Sequence, residues 1–513
     1  MEVTKYFDKK IKKIPSNIKI AFLYTLVVGV LTHMFFLTNK FINHDDLLQL
    51  VHNMDFSSSG RWFLKYGNAI SSNLSMSWVN GCLVIIYTGI MTAILVDIFQ
   101  LKSKLSIFFT AAMMITFPSN AALFPYSNSY DAYAFGGLLA FIGMFYFIKQ
   151  EKISLITISL TVLGLASYQI YFAFCFATIV VYYLVKLLRK EIKADKFVRN
   201  LLLTIINYLA AIISYVIITK YVLKIELTDY QNIDKMGSLS FLDLIKSVPN
   251  TYAKFYEFFI KDSYYQFSYL KYLNVLFFIA CLYLIIDAIS NLKYKEIVLA
   301  SLTIFLLPIF INLIYLMAPN SAIGLRMLQT YIVFYILAIV LVEYFANKIP
   351  TKIIAGWVIC LSLFLSIFNF VVLANKAYTA YEIDKSNILS YTTRVLSKIE
   401  NEDFYDAEKK VYFIGNPDIT NSFTPKYTSP DVLISTILDK KVVAHLYWKL
   451  YPIRYAAFPN EVDNMWYPDY SATNDELKKI IDDMPMYPAK GSIIEYDNEI
   501  YIKFRDYKTW ANQ

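Results

Sequence analysis

The sequence predicts an all-α polytopic membrane bundle of about eleven transmembrane helices, followed by a small C-terminal extracytoplasmic α/β domain. Three observations predict it. Apolar residues make up 57% of the 513 residues and charged residues only 17%, with a mean hydropathy of +0.45. Soluble domains run nearer 45–50% apolar and about 25% charged. Runs long enough to span hydrocarbon recur up to residue 374, after which the composition turns polar and mixed. The same numbers exclude intrinsic disorder. A net charge of +8 is too small and too dispersed for nucleic-acid binding.

A helix needs about 20 apolar residues to cross the hydrocarbon core. Such runs lie near 20–38, 79–98, 105–123, 133–148, 153–167, 169–187, 200–222, 272–290, 297–316, 326–346 and 353–373. The first lacks a small-residue cleavage site and reads as a retained anchor, not a signal peptide. Orientation follows from Lys and Arg. The N-terminus carries Lys5, Lys9, Lys10, Lys12, Lys13 and Lys19. Alternate loops from there carry Lys102 and Lys104, Lys149 and Lys152, Lys186 to Arg199, Lys293 and Lys295, then Lys348 and Lys352. That side is expected to be cytoplasmic. The opposite loops at 117–132 and 317–325 carry no Lys or Arg. Eleven spans then put the C-terminus outside, together with the longer segments 39–78 and 223–271. The second of these carries several Lys, but long loops translocate regardless of charge.

The expected domains are 1–374, the bundle, and 375–513, the soluble part. In the latter, residues 376–400 suit a helix leaving the membrane. Val411–Gly415 ends at Asn416-Pro417 and reads as a strand. Residues 430–440 read as a helix with Pro near its start. Thr473–Met484 has an N-cap candidate and helical apolar spacing. Ser492–Tyr496 and Glu499–Phe504 flank Asp497-Asn498 and read as a hairpin. No nucleophile–base pair appears there, so a docking or acceptor-handling role is the plain reading.

Chemistry is expected at the outer ends of the spans. Asn43-His44-Asp45-Asp46 sets two carboxylates just past the first span. Helical neighbours point about 100° apart, so the two carboxylates are not expected to share one task; a solvated loop with an N-cap Asp is the plain alternative. One suits a general base, the other a helix end or a cation. Gly60-Arg61-Trp62-Phe63 opens a segment, 60–74, that suits an amphipathic interfacial helix. Asp131 ends a polar, aromatic patch from Pro125 to Tyr130 at the membrane boundary, where an ionisable group is a functional candidate; a helix N-cap is the simpler role. Ser167-Tyr168-Gln169 lies between two spans, either as a turn or as a binding surface. Lys220 and Arg326 stand at outer span ends, where a cation either snorkels or meets a lipid phosphate. Cys82, Cys175, Cys281 and Cys360 offer no disulfide framework or CxxC site. His33, His44, His52 and His445 show no metal spacing. GxSxG, Walker and GxGxxG patterns are absent.

His44-Asp45-Asp46, Gly60-Arg61-Trp62, SYDAYAFG, ASYQIYFAF and GLRMLQTY occur in this order. So arranged, the chain resembles the serotype-converting membrane glucosyltransferases of the Gtr type-two family, over most of its length including 374–400. The resemblance implies a GT-C-like architecture with the active site on the extracytoplasmic face of a bacterial plasma membrane. It implies an inverting transfer of a hexose, glucose in this family, from a polyprenyl-phosphate donor to a cell-surface glycan. It further implies an upstream polyprenyl-phosphate glycosyltransferase and a small flippase as partners. The family's acidic motif falls on Asp45 and Asp46, its second-loop acid on Asp131, its Gly-Arg-Trp on Gly60, Arg61 and Trp62, its Tyr-Gln on Tyr168 and Gln169, and its late arginine on Arg326. The acceptor is either O-antigen or a Gram-positive wall polysaccharide or teichoic acid.

The expected mechanism follows. Arg61, Arg326 or Lys220 stabilises the leaving phosphate. Asp45 or Asp46, with Asp131 next, takes the acceptor proton. Trp62, Tyr130 and Tyr168 stack on sugar. A single phosphate calls for no diphosphate-bound metal, so no cofactor and no metal is expected. A lipid-linked-glycan flippase or transporter and a polysaccharide polymerase are the competing readings. A flippase should show internal repeats and mid-membrane charges, and a polymerase should have arginine-rich outer loops. Neither pattern is visible.

Overall fold

Without water in the bilayer, backbone polar groups must bond within their own segment, which favours helices of membrane length. A computed structural model of the protein describes residues 3–40, 55–228, 241–261, 267–317, 323–346, 349–406, 409, 411–414 and 474–504. Among the described residues, nine helices are long and apolar enough to cross a membrane: Ser16–Thr38, Ser77–Ile98, Lys104–Leu123, Tyr130–Gln150, Ile170–Leu188, Ala194–Val222, Leu270–Ser290, Tyr294–Ile311 and Pro350–Ile383. Leu155–Leu165 and Gln329–Phe345 are shorter apolar helices. Each of the eleven expected runs is therefore helical, but two fall short of a full span. The described residues form two compact units, one up to Tyr378 and one from Thr379 onward.

In the first unit, Ser16–Thr38 packs along Ser77–Ile98, and Tyr130–Gln150 along Leu155–Leu165. Lipid is as apolar as the helices, so close van der Waals approach must hold them together. Small residues permit it: a Cβ on Gly164 would stand 2.8 Å from the Cβ of Ala140. Buried hydroxyls turn back on their own helix, as Thr92 Oγ1 does to Thr88 O (2.8 Å) and Thr178 Oγ1 to Phe174 O (2.7 Å).

One end of the bundle is tied by charge. Lys149 meets Asp97 at 2.9 Å, Lys196 meets Glu151 at 2.7 Å, and Lys352 meets Asp287 at 2.6 Å. The Lys104–Thr116 helix has no side-chain cap of its own. Glu343, from a distant helix, accepts from Lys102 N (3.0 Å), Ser103 N (3.1 Å) and Ser106 Oγ (2.6 Å). A carboxylate there satisfies orphan N–H groups and matches the helix dipole. These pairs join loops that the Lys and Arg pattern assigns to one side.

The segment 223–271, expected as a polar loop, contains the helix Phe241–Ile260. Phe255, Phe258 and Phe259 are buried and lie against Tyr331, at ring-centroid distances of 5.6, 4.7 and 6.1 Å. Asp243, Lys246, Lys254 and Glu257 dilute its hydropathy, so it does not read as a span although it packs as part of the bundle.

The helix starting at Lys104 breaks at Phe117 (ψ 138°), before Pro118. Pro118 has no N–H, so Met114 O loses its helical donor. Asn120 replaces it: its Nδ2 donates to Met114 O (2.8 Å) and Ile115 O (3.0 Å). His33 Nε2 also reaches Ile115 O at 3.0 Å, while Nδ1 lies 2.7 Å from Tyr378 Oη. A carbonyl only accepts, so the proton sits on Nε2 and the tyrosine donates to Nδ1. The Oδ1 of Asn120 accepts from Tyr130 Oη (2.6 Å) and Gln329 Nε2 (3.2 Å).

In the second unit, Asn474 caps the helix Asp475–Asp483 by accepting from Leu477 N at 2.7 Å. Strands β1 (Val411–Ile414), β2 (Ile493–Tyr496) and β3 (Glu499–Lys503) form a sheet ordered β1-β3-β2, with β1 parallel to β3. Asp497 and Asn498 both have positive φ (50° and 60°), as a two-residue hairpin turn requires. Ile414, Leu477, Ile481, Met484 and Tyr501 form its core. The expected helix at 430–440 lies outside the described residues. The expected helix at 376–400 is the end of one continuous helix, Pro350–Glu400.

Asn120→Leu should destabilise the protein by about 3 kcal/mol, since Met114 O and two donors lose their partner at roughly 1–3 kcal/mol each with partial relaxation, while Ile115 O keeps His33. Thr38→Val, at an exposed hydroxyl, should change stability by under about 0.5 kcal/mol. Denaturant unfolding in detergent compares the two.

Candidate functional site

At the end of the bundle opposite the ionic ties, five segments meet. Phe63 N donates to Ala166 O (3.0 Å), Trp62 Nε1 to Thr219 Oγ1 (3.0 Å), Ser119 Oγ to Leu325 O (2.6 Å), and Tyr168 Oη to Arg326 O (3.3 Å). These bonds bring together 55–76, 117–130, 166–169, 218–228 and 324–331.

The expected interfacial helix over 60–74 is broken up. Only Leu64–Asn68 is α-helical; one 3-10 turn precedes it at Ser57–Ser59 and another follows at Ala69–Ser71. Gly60 has a φ of +75°, and Ser72 and Asn73 are also left-handed, which ends the helix. Gly67 is pressed onto the Tyr130–Gln150 helix, where a Cβ would stand 2.7 Å from the Cβ of Ala132. Tyr66, Ile70 and Leu74 remain exposed.

The loop before Arg61 is held by a neighbouring helix end. Tyr215 Oη donates to Gly60 O at 2.7 Å, and Gln169 Nε2 to Ser59 O at 3.4 Å. The helix then passes into a π turn at Ile218–Val222, a form common at functional sites. Thr219 of that turn holds Trp62, and Lys220 beside it is exposed.

Arg61 is half-buried. Its guanidinium carbon lies 5.7 Å from the ring centroid of Tyr133 and 5.2 Å from that of Tyr168. Its Nη1 reaches Tyr133 Oη at 3.3 Å, and its buried Nε has no partner among the described residues. The two tyrosine rings stack at 4.7 Å and 27°. Arg326, also half-buried, donates from Nη1 to Tyr126 Oη at 2.7 Å and lies 5.1 Å from that ring. Tyr168, which joins the two arginines, is itself buried. Burial pushes its hydroxyl up to about 12 against the opposing pull of Arg326 and Arg61. It therefore stays protonated at neutral pH and acts as a donor.

Neither guanidinium meets a carboxylate among the described residues. A cation withdrawn from water without a counter-charge is costly. Two of them in an aromatic cradle fit an anion, and the guanidinium fork suits phosphate.

The other expected residues are placed as follows. Asp131 is 1% exposed in the first turn of its helix, and its Oδ1 has no hydrogen-bond partner among the described residues. Its polar neighbours are Ser71 and Asn80, so the structure turns it away from the arginines. Tyr133, two residues on, points to the other side, as a helix dictates. Tyr130 is buried with its ring edge-on to Phe124 (5.0 Å, 81°), within the Asn120 network. Asp45 and Asp46 lie outside the described residues. No group of three or more His, Cys, Asp or Glu suited to a metal occurs among the described residues. Tyr126, Tyr133 and Tyr215 are site residues that the sequence reading did not single out. Tyr133 stands within SYDAYAFG, but its role emerges only when two helices meet.

A bundle of membrane-length helices defines a membrane protein, and at one end of it an aromatic cradle holds two guanidiniums that have no carboxylate partner among the described residues. The family model described as Glucosyl transferase GtrII matches residues 34–342. The chain belongs to that family and is a membrane glycosyltransferase. Comparison with curated proteins and with solved structures gives no match.

Gly60→Ala should displace the Arg61 loop, because its Cβ would collide with Tyr215 Oη and its φ disfavours any side chain. Removing that oxygen leaves the nearest ring carbon at 3.6 Å, an ordinary contact. Gly60→Ala should therefore cost less in the Tyr215→Phe background than alone, leaving about 1–2 kcal/mol from the backbone. A double-mutant cycle on unfolding free energy measures the difference; simple additivity would refute the clash.

Proposed function

We propose that the enzyme transfers a hexose, glucose in the first instance, from a polyprenyl-phosphate donor to a cell-surface glycan on the extracytoplasmic face of a bacterial plasma membrane. The N-terminus is cytoplasmic in this reading. The observation that carries it is the pair Arg61 and Arg326, without carboxylate partners among the described residues, around Tyr133 and Tyr168. The donor phosphate sits against these guanidiniums, while its lipid stays in the bilayer beside the exposed Tyr66, Ile70 and Leu74. Lys220 adds a cation at the rim.

The acceptor oxygen attacks C1 from the face opposite the phosphate, which inverts that centre. The C1–O bond breaks, and its electron pair stays on the phosphate oxygen. The guanidiniums meet the charge that grows there, and Tyr168, which donates to Arg326 O, holds that arginine's backbone in place. The acceptor proton passes to a carboxylate, Asp45 or Asp46, while Asp131 braces the segment around Ser71 and Asn80. Trp62 and Gln169 line the sugar side, and Tyr130 supports them from the interior. The donor carries one phosphate, so no metal is invoked to bridge a diphosphate. Residues 1–374 form the catalytic domain, and 375–513 form an extracytoplasmic domain that handles the acceptor. A polyprenyl-phosphate glycosyltransferase and a small flippase act upstream to make and present the donor.

Arg61→Ala and Arg326→Ala should each insert normally and lose transfer by about 10²–10³-fold, the usual effect of removing a preorganised charge stabiliser. Asp45→Asn or Asp46→Asn should cost about 10²–10⁴-fold, as expected for a lost general base. Surface-polysaccharide composition, compared with and without the gene, should show loss of one side-branch sugar. Loss of the whole polymer would point instead to a flippase or polymerase.

A further inference from the structure

The helix Val3–Lys13 precedes the first apolar helix, and every residue whose exposure is resolved in it is open to solvent. Its sequence has two faces. At 100° per residue, Val3, Ile11 and the adjoining Ile14 fall within an arc of about 80°. Lys5, Lys9, Lys12 and Lys13 fall on the opposite arc, and Lys10 stands at the edge of the apolar one, where its long stem can reach outward. Val3, Ile11 and Ile14 are 70%, 53% and 41% exposed, which is unfavourable in water. The helix carries five lysines against one aspartate, Asp8, so its partner must be anionic as well as apolar.

Geometry limits what that partner can be. The membrane helix begins at Ser16, and only Ile14 and Pro15 separate the two. Pro15 is extended, with ψ 145°. Two residues reach no more than about 7 Å, so the short helix cannot leave the surface of the bilayer that holds Ser16–Thr38. A helix with an apolar stripe and a lysine face, tethered at that level, lies in the headgroup layer with its apolar side toward the acyl chains.

We infer that Val3–Lys13 is an in-plane anchor that binds anionic phospholipid headgroups of the enzyme's own membrane. Lys9, Lys12 and Lys13 contact the phosphates, while Val3, Ile11 and Ile14 enter the acyl boundary. The anchor lies at the N-terminal end of a helix whose far part holds His33 against Ile115 O, so it also fixes how deep that helix sits. The inference is independent of the donor and acceptor named above.

The test uses the full-length protein in nanodiscs, either of phosphatidylcholine alone or with about one-third phosphatidylglycerol. Hydrogen exchange of the amides in 3–13 should slow at least about tenfold in the anionic discs, since each lysine near an anionic surface adds to binding. The protection should fall in about 0.5 M salt, where screening is short-ranged, and in a Lys9→Gln, Lys12→Gln, Lys13→Gln variant. Exchange in the Tyr130–Gln150 helix should stay unchanged, which separates lost anchoring from misfolding. Equal exchange in both lipids, or protection that survives the triple variant, would overturn the inference. So would protection in neutral detergent that grows with protein concentration, because it would place the helix on a second copy.

Discussion

The rest of the site depends on how one broken helix is made tolerable inside an apolar protein. Pro118 removes an N–H and the chain turns at Phe117, which strands the carbonyls of Met114 and Ile115. Away from water, each would cost several kcal/mol if left unpaired. Asn120 and His33 supply the missing donors from two directions. Because Asn120 also accepts from Tyr130 and Gln329, the repair ties the start of one long helix to the segment that leads out of Arg326. Ser119 reinforces the same connection through Leu325 O. The turn thus places 118–131 over the end of the bundle at fixed depth, and both arginines are positioned relative to it.

The arginines share a second device. Each is held by aromatic faces and phenol oxygens and not by an acid among the described residues. Tyrosines supply shape and modest electrostatic attraction without cancelling the charge, so the field of the guanidiniums stays available for a ligand. A carboxylate in Tyr126's place would have held Arg326 more firmly while neutralising it. Asp131, the nearest buried acid in sequence, sits on the other side of its helix and leaves this field intact. Helix geometry alone keeps that acid apart from the cationic cradle.

Much of the architecture was legible in the sequence because hydrocarbon imposes a simple length rule. All eleven apolar runs became helices, and the hairpin at Asp497-Asn498 followed from turn chemistry. The Phe241–Ile260 helix was not legible as part of the bundle. Its buried face is a stripe of three phenylalanines, while Lys254 and Glu257 pair on its exposed side, so average hydropathy hides it. Arg61, Arg326, Tyr168, Gln169 and Trp62 were named from sequence and stand at one end of the bundle. Tyr133 and Tyr126 are not legible there, because the chain has 43 tyrosines and nothing in a linear pattern says which of them a guanidinium will lie over. The amphipathic reading of 60–74 failed for a related reason: Gly60, Ser72 and Asn73 adopt left-handed conformations, which periodicity does not register.

With the donor proposed above, holding two arginines by tyrosines would have a kinetic consequence. A polyprenyl-phosphate sugar is a diester with one negative charge, whereas the lipid phosphate left after transfer is a monoester carrying about −1.5 to −2. Two guanidiniums without a carboxylate partner among the described residues would match that spent carrier better than the loaded one. The preference that eases bond breaking in the proposed reaction would therefore make the carrier slow to leave. Turnover in the cell would then follow how fast the membrane clears free polyprenyl phosphate, and a build-up of empty carrier would slow the enzyme without any dedicated regulatory site.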